Sequence, residues 1–120
     1  MNIEDFREFC LSVKGATECF PFDETVLVLK VMDKMFAYGS IEPKDGRFSF
    51  SMKCDPEKGE DLRERYEGVA RGHHTSSTMW NAVFIDSDVP DDLIKELVLH
   101  SVDEVLKKLS KNKREEYLNS

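Results

Sequence analysis

Apolar residues recur at the spacing of one helical face from Phe6 to Val13, with Asn2 in a capping position and Gly15 after the last turn. This pattern predicts a short amphipathic helix. Three strands are predicted next, because β-branched and apolar residues first run together and then alternate with polar ones. These strands span residues 25–31, 34–41 and 47–53.

The third predicted strand has the clearest alternation of the chain. One side carries Phe48, Phe50 and Met52, which we expect to pack against a core. The other side is polar and carries Arg47, Ser49, Ser51 and Lys53. Turns at 32–33 and 45–46 join the three strands, so we predict an antiparallel meander with at least one side in contact with water.

Two further helices are predicted in the second half of the chain. Asp55 and Pro56 begin a helix over residues 56–66, because Asp caps a helix and Pro fits its first turn. Residues 88–92 open the last helix, and its apolar residues keep the helical period as far as Leu109. Residues 110–120 are mostly polar and are predicted to form a C-terminal extension, either a short extra helix or a frayed tail.

Two strands, at 68–71 and 80–85, are predicted between these helices. The periodicity of the second strand does not determine which of its sides is buried, because both sides carry apolar residues. Trp80, Ala82 and Phe84 lie on one side, and Val83 and Ile85 lie on the other. The predicted order is therefore α-β-β-β-α-β-β-α. Such an order is typical of an α+β two-layer sandwich, with an antiparallel sheet and helices on one face.

Composition limits the organisation and the partners of the chain. With 120 residues and 40% hydrophobic residues, we expect one domain over residues 1–120. The formal charge of −7 disfavours nonspecific attraction to nucleic acid or to an anionic membrane. No apolar run long enough for a signal peptide or a membrane span is present, which predicts a soluble cytoplasmic protein with no membrane partner.

Three cysteines, Cys10, Cys19 and Cys54, are odd in number and lack CxxC spacing. They indicate neither a disulfide framework nor a four-ligand zinc site. His73 and His74 are adjacent, so in extended chain their imidazoles point to opposite sides and cannot easily hold one metal ion. We therefore expect no metal site and no cofactor.

The segment 68–85 is the most unusual of the chain, because it brings together two histidines and the only tryptophan. Serines 76 and 77 lie beside the histidines, but no nucleophile elbow or phosphate-binding glycine loop accompanies them. Enzymatic activity is not expected on this basis. A small enzyme or a ligand-binding protein acting at His73, His74 and Trp80 is the third of three hypotheses.

The other two hypotheses concern macromolecular partners. Hairpins with basic and aromatic side chains can bind nucleic acid, whereas an open sheet face can serve a protein-interaction adaptor. The acidic residues Glu42, Asp45 and Asp55 lie close to the basic ones and weaken any positive patch. The candidate binding residues for nucleic acid or another partner are Lys44, Arg47, Lys53, Arg71, His73, His74 and Trp80.

Several short motifs resemble those of the MmcQ/YjbR family, in the same order through nearly the whole chain. They include Phe20-Pro21-Phe22-Asp23, Lys53-Cys54-Asp55-Pro56, Gly72-His73-His74, Trp80-Asn81 and Val89-Pro90-Asp91. The resemblance implies a bacterial cytoplasmic domain with a CyaY-like or secretion-chaperone-like fold. It also implies DNA binding through a double wing of two hairpins, with no agreed enzymatic activity or cofactor. Because residues 75–79 lack the lysines that members often have there, we expect such DNA binding to be weak.

Overall fold

The computed structural model describes residues 1–72 and 79–120, which form four helices and six strands. In chain order these are α1 (Ile3–Leu11), β1 (Thr17–Cys19), β2 (Val26–Val31), β3 (Lys34–Ser40), β4 (Ser49–Lys53), α2 (Pro56–Arg65), β5 (Val69–Arg71), β6 (Trp80–Phe84), α3 (Asp91–Lys107) and α4 (Lys111–Leu118). The α+β class is confirmed, and the predicted order gains β1 and α4. No helix within the described residues is long and apolar enough to cross a bilayer.

The six strands form one antiparallel sheet in the order β1-β2-β3-β4-β6-β5. Helices α1, α2 and α3 all contribute to a single core on one face of this sheet. The ring of Phe6 in α1 stacks on Phe50 of β4, with 4.4 Å between the ring centroids. The second layer of the predicted sandwich is therefore helical, and the opposite face of the sheet carries no helix among the described residues.

The predicted sides of the third strand are confirmed. Phe50 and Met52 are buried in the core, and Phe48 packs against it just before β4 begins. The structure also shows which side of β6 faces the core. Val83 belongs to the core with Phe50, its partner in β4. Trp80, Ala82 and Phe84 therefore lie on the opposite face of the sheet.

A serine of α3 completes the pairing of β3 and β4. At Phe36 the register between β2 and β3 shifts, so Phe36 has no partner in β2. The buried Ser101 hydroxyl donates to the Phe36 carbonyl oxygen at 2.6 Å and accepts from the Lys53 amide at 2.9 Å. The α3 helix is thus fixed to the sheet by hydrogen bonds as well as by apolar packing.

The C-terminal extension forms a docked helix. Tyr117 of α4 is buried, and its hydroxyl donates to the Lys14 carbonyl oxygen at 2.7 Å. A second hydrogen bond runs from the Lys14 ammonium to the carbonyl oxygen of Leu118 at 3.1 Å. One buried aromatic side chain therefore positions a helix whose other residues are almost all polar.

Candidate functional site

The sheet surface opposite the helices is called the open face below. Register partners lie on the same side of a sheet, so the pairings place a row of side chains across all six strands of this face. The row consists of Cys19, Val28, Tyr38, Ser51, Ala82 and Ala70. Apart from Tyr38 these side chains are small, and three of them, Val28, Ser51 and Ala82, are almost completely buried by the groups around them.

Two groups of aromatic and basic side chains flank this row. At one end of the sheet, Trp80 lies opposite Lys53, and its ring is 5.5 Å from that of Tyr38 at an angle of 59°. At the other end, the Arg47 guanidinium lies 4.0 Å from the centroid of the Phe84 ring. Both groups combine a flat ring with a cation, which is the pairing used to contact nucleic acid.

Charge is distributed unevenly between the two layers. Among the described strand residues Glu18 is the only acid, and it lies opposite Leu29 on the helical side, where it forms an ion pair with Arg7 of α1. Lys30 and Lys53 point to the open face. The Lys30 ammonium is 3.9 Å from a carboxylate oxygen of Asp33, an exposed turn residue. The net charge of −7 is thus carried by the helices and loops, and the strands add none of it to the open face.

The candidate residues predicted from the sequence do not form one cluster. The β3–β4 connection, with Lys44 and Arg47, lies at the end of the sheet where β4 begins, whereas the β5–β6 connection lies at the end where β4 stops. Trp80 and Phe84 are four residues apart in β6, so the two groups are separated by about 13 Å along the strand. Lys44 and Arg47 therefore lie at the opposite end of the sheet from Gly72 and Met79, the described residues that border the β5–β6 connection.

Arg71 lies on the other face of the sheet from Trp80. Its register partner is Asn81, and its alternate neighbour Val69 belongs to the core. Arg71 therefore belongs to the helical side, close to the edge of the sheet, and does not extend the cations of the open face. His73 and His74 lie outside the described residues.

Asn81 was not among the residues predicted from the sequence, although it follows the tryptophan directly. Its buried side-chain oxygen accepts from the Arg63 guanidinium, and its amide donates to the Gly59 carbonyl oxygen at 3.4 Å. A Cβ at Gly59 would lie 3.1 Å from the Asn81 amide nitrogen. Glycine inside a predicted helix was the available signal, since it marks the place where α2 approaches β6.

The start of the β5–β6 connection is held against the tryptophan. The Gly72 amide donates to the Trp80 carbonyl oxygen at 2.9 Å, and a Cβ at Gly72 would lie 2.8 Å from the Trp80 Cβ. On the other side, the Cys54 amide donates to the Met79 carbonyl oxygen at 2.9 Å. Trp80 is therefore positioned by backbone contacts to both neighbouring segments.

His100 of α3 joins the helical layer to the beginning of α2. Its Nε2 accepts from the Asp55 amide at 3.1 Å, and the Asp55 carboxylate caps α2 by accepting from the Lys58 amide at 3.1 Å. Burial, with a further contribution from the Lys58 ammonium, lowers the pKa of His100 below its ordinary value of 6.5, although Glu104 opposes the shift. Neutral imidazole is thus the form that the fold requires.

This arrangement predicts a loss of stability in mild acid. Because the folded pKa of His100 is lower than the unfolded one, its stabilising contribution is complete above about pH 6.5 and is lost as the pH falls toward the folded value. Urea unfolding of the wild type and of His100→Gln across this range measures the effect. The Gln carbonyl can accept the same amide without titrating, so we expect the wild type to lose more stability than the variant. Equal losses of stability in the wild type and in the variant would contradict the role assigned to neutral His100.

The two buried thiols and the cavity beside Asn81 give no support to catalysis. Burial raises the pKa of Cys10 to about 12 and that of Cys54 to about 11, so both are protonated and poor nucleophiles at neutral pH. No cluster of three His, Cys, Asp or Glu side chains suited to a metal ion occurs within residues 1–72 and 79–120. A cavity of about 10 Å³ beside Asn81 is lined by Met52 and Leu62 and is no larger than one water molecule.

Fold and site together define a two-layer α+β protein with one open sheet face that bears cations and aromatic rings. The sequence model described as YjbR matches residues 11–103, and the chain belongs to that family. The MmcQ/YjbR resemblance is therefore confirmed.

Individual relatives agree with this family assignment. The chain is 29% identical to the "Uncharacterized protein YjbR" of Escherichia coli strain K12, over 95% of each chain. It is 25% identical to the "Uncharacterized protein YbdF" of Escherichia coli O157:H7, over 90% of this chain and 87% of the other. The crystal structure of Deinococcus radiodurans protein DR2400, a DUF419 domain, is similar with a TM-score of 0.87 and 36% identity, covering 97% of this chain and 87% of that one. A Pseudomonas syringae protein structure shares the fold, with a TM-score of 0.76 and 18% identity over 88% of this chain and 99% of that one.

Proposed function

We propose that this protein binds DNA weakly in the bacterial cytoplasm, and that the open face of its sheet is the contact surface. The observation that carries the proposal is the separation of charge between the two layers. Lys30, Arg47 and Lys53 lie on or over the open face, and none of its strand residues is acidic. A chain of net charge −7 can therefore present a basic surface to phosphate groups on one side only.

Few cations imply weak binding that depends strongly on salt. Each phosphate contact releases condensed counterions, so affinity falls with rising salt in proportion to the number of phosphates bound. Three cations, one of them shared with Asp33, can bind only a small number of phosphates. We expect duplex affinity no tighter than the nonspecific range of about 10⁻⁴ to 10⁻⁶ M at physiological salt.

The proposal places the DNA on the open face and not at the two hairpin tips. The β3–β4 connection and the described ends of the β5–β6 connection lie at opposite ends of the sheet, so they do not form two adjacent wings around one duplex. Lys44 lies near the tip of the first hairpin, beside the acidic Glu42 and Asp45. It therefore adds less to the basic surface than Lys53 does.

Fluorescence anisotropy of a labelled DNA duplex across a salt series tests the proposal. Changing Lys30, Arg47 and Lys53 together to Gln should weaken binding at low salt. It should also reduce the slope of log affinity against log salt by about 0.9 for each phosphate that the variant no longer neutralises. The matched control changes three exposed cations of the helical layer to Gln. These control residues are Lys108, Lys111 and Lys113.

The control variant should retain the wild-type salt slope, because its cations lie away from the open face. Equal weakening in the two variants would contradict the proposed surface, since it would reflect net charge alone. Submicromolar binding at about 150 mM salt would also contradict it, because three cations cannot supply that affinity. Absence of duplex binding at low salt would exclude duplex DNA as the partner.

A protein-interaction role is the second candidate, and a separate apolar patch favours it. Phe20 is 46% exposed, Phe22 is 68% exposed and Ile41 is 41% exposed. The Ile41 amide donates to the Thr25 carbonyl oxygen at 2.8 Å, which places Ile41 at the same end of the sheet as the loop that carries the two phenylalanines. Exposed apolar side chains in such a group are typical of contact with another protein.

A further inference from the structure

We infer that the DNA recognised by the open face is single-stranded and that a base stacks on Trp80, an inference that rests on the proposed DNA-binding function. Duplex DNA is read by a helix or a two-stranded ribbon that enters a groove. The β3–β4 connection and the described ends of the β5–β6 connection lie at opposite ends of the sheet, and the face between them is formed by strands. Such a face can touch only the outside of a duplex, whereas it can accept unpaired bases directly.

The indole of Trp80 is partly exposed among small neighbouring residues. The next residue on its side of β6 is Ala82, and Ser51 and Ala70 are the partners of Ala82 in the neighbouring strands. Gly72, which has no side chain, is the backbone partner of Trp80 on the β5 side. Ser51 and Ala82 are buried, whereas Trp80 is only partly buried. Among these residues the exposed part of the indole is therefore the group that a base can contact.

Tyr38 and two lysines complete a binding path across the sheet. The Tyr38 ring, 5.5 Å from that of Trp80, is a second aromatic group on the same face. Lys53 lies directly opposite Trp80, and Lys30 lies two strands beyond Lys53, at a distance of about 10 Å between the strands. A single strand that crosses from β6 to β2 can therefore stack a base on Trp80 while its phosphates contact both ammonium groups.

The chain contains a built-in probe for this stacking, because Trp80 is its only tryptophan. Titration of the wild-type protein with an oligothymidylate of about 12 nucleotides should quench the Trp80 fluorescence, since stacking brings a base onto the indole. A duplex of the same length should leave the fluorescence nearly unchanged. We expect single-stranded DNA to bind at least about tenfold more tightly than the duplex at the same salt concentration.

Anisotropy of labelled oligonucleotides then measures the contribution of the ring. Trp80→Leu should weaken single-stranded binding about tenfold, equivalent to about 1.4 kcal/mol, and leave duplex binding within about twofold. Phe22→Leu is the matched control, because it removes an exposed ring at the other end of the sheet, and it should change neither affinity. Circular dichroism confirms that both variants are folded, and the wild-type quenching does not depend on a variant.

The outcomes separate this inference from the proposed function. Equal affinity for both forms of DNA, without quenching by the single strand, overturns the inference and leaves the DNA-binding proposal standing. Absence of binding to either form overturns both. An RNA of equivalent sequence that binds more than about tenfold more tightly than the DNA overturns the assignment to DNA.

Discussion

Phe50→Ala is expected to lower the free energy of unfolding by about 3–5 kcal/mol. Phe50 is fully buried, stacks on Phe6 and lies against Gly39, where a Cβ would come within 2.7 Å of its ring. Its removal leaves a cavity between α1 and the sheet that close-packed neighbours cannot fill. Urea or thermal unfolding followed by circular dichroism measures the change.

Phe22→Ala is the matched control for this result, because the same side chain is removed from a position that is 68% exposed. We expect the control to change stability by less than about 0.5 kcal/mol. A loss below about 1 kcal/mol in Phe50→Ala would mean that the two sides of β4 are assigned wrongly.

Ser101→Ala is expected to lower the free energy of unfolding by about 2–4 kcal/mol, since an unsatisfied buried backbone group costs about 1–3 kcal/mol. Removal of the hydroxyl leaves two such groups without their partner, the carbonyl of Phe36 and the amide of Lys53. Ser12→Ala is the control, because its hydroxyl also binds a backbone carbonyl but is exposed to water. A change in Ser101→Ala no larger than that of the control would show that water replaces the hydroxyl without cost.

The two proposals about DNA follow from the distribution of charge and not from its sum. A net charge of −7 argues against nucleic-acid binding only when the charges are spread evenly over the surface. Here the helical layer carries acidic residues in every helix, whereas the strands contribute Lys30 and Lys53 to the open face. The separation arises because one side of each strand faces away from the helices that hold the acids.

Local periodicity was sufficient for the main elements of the fold. The period-2 alternation around Phe50 and the helical period from Leu93 onward each require one side of an element to be apolar, whatever lies beyond it. The helices α1, α2 and α3, the central strands and the α+β class were therefore predictable. Elements without such a pattern were not. The short strand β1 exists because the edge of β2 is available to pair with it, and α4 exists because Tyr117 has a docking position.

The candidate site was predictable in its residue types but not in its arrangement. The order of residues was enough to show that two hairpins carry basic and aromatic side chains, and that the family is YjbR. The folded chain was needed to show that Trp80 and Lys53 share the open face, that Arg71 lies on the other side, and that the β3–β4 connection lies at the opposite end of the sheet from Trp80. The physical reason is that the face and the direction of a strand depend on the strand paired beside it. The pairing of β4 with β6 joins segments that are far apart in the chain, and no local pattern of side chains encodes it.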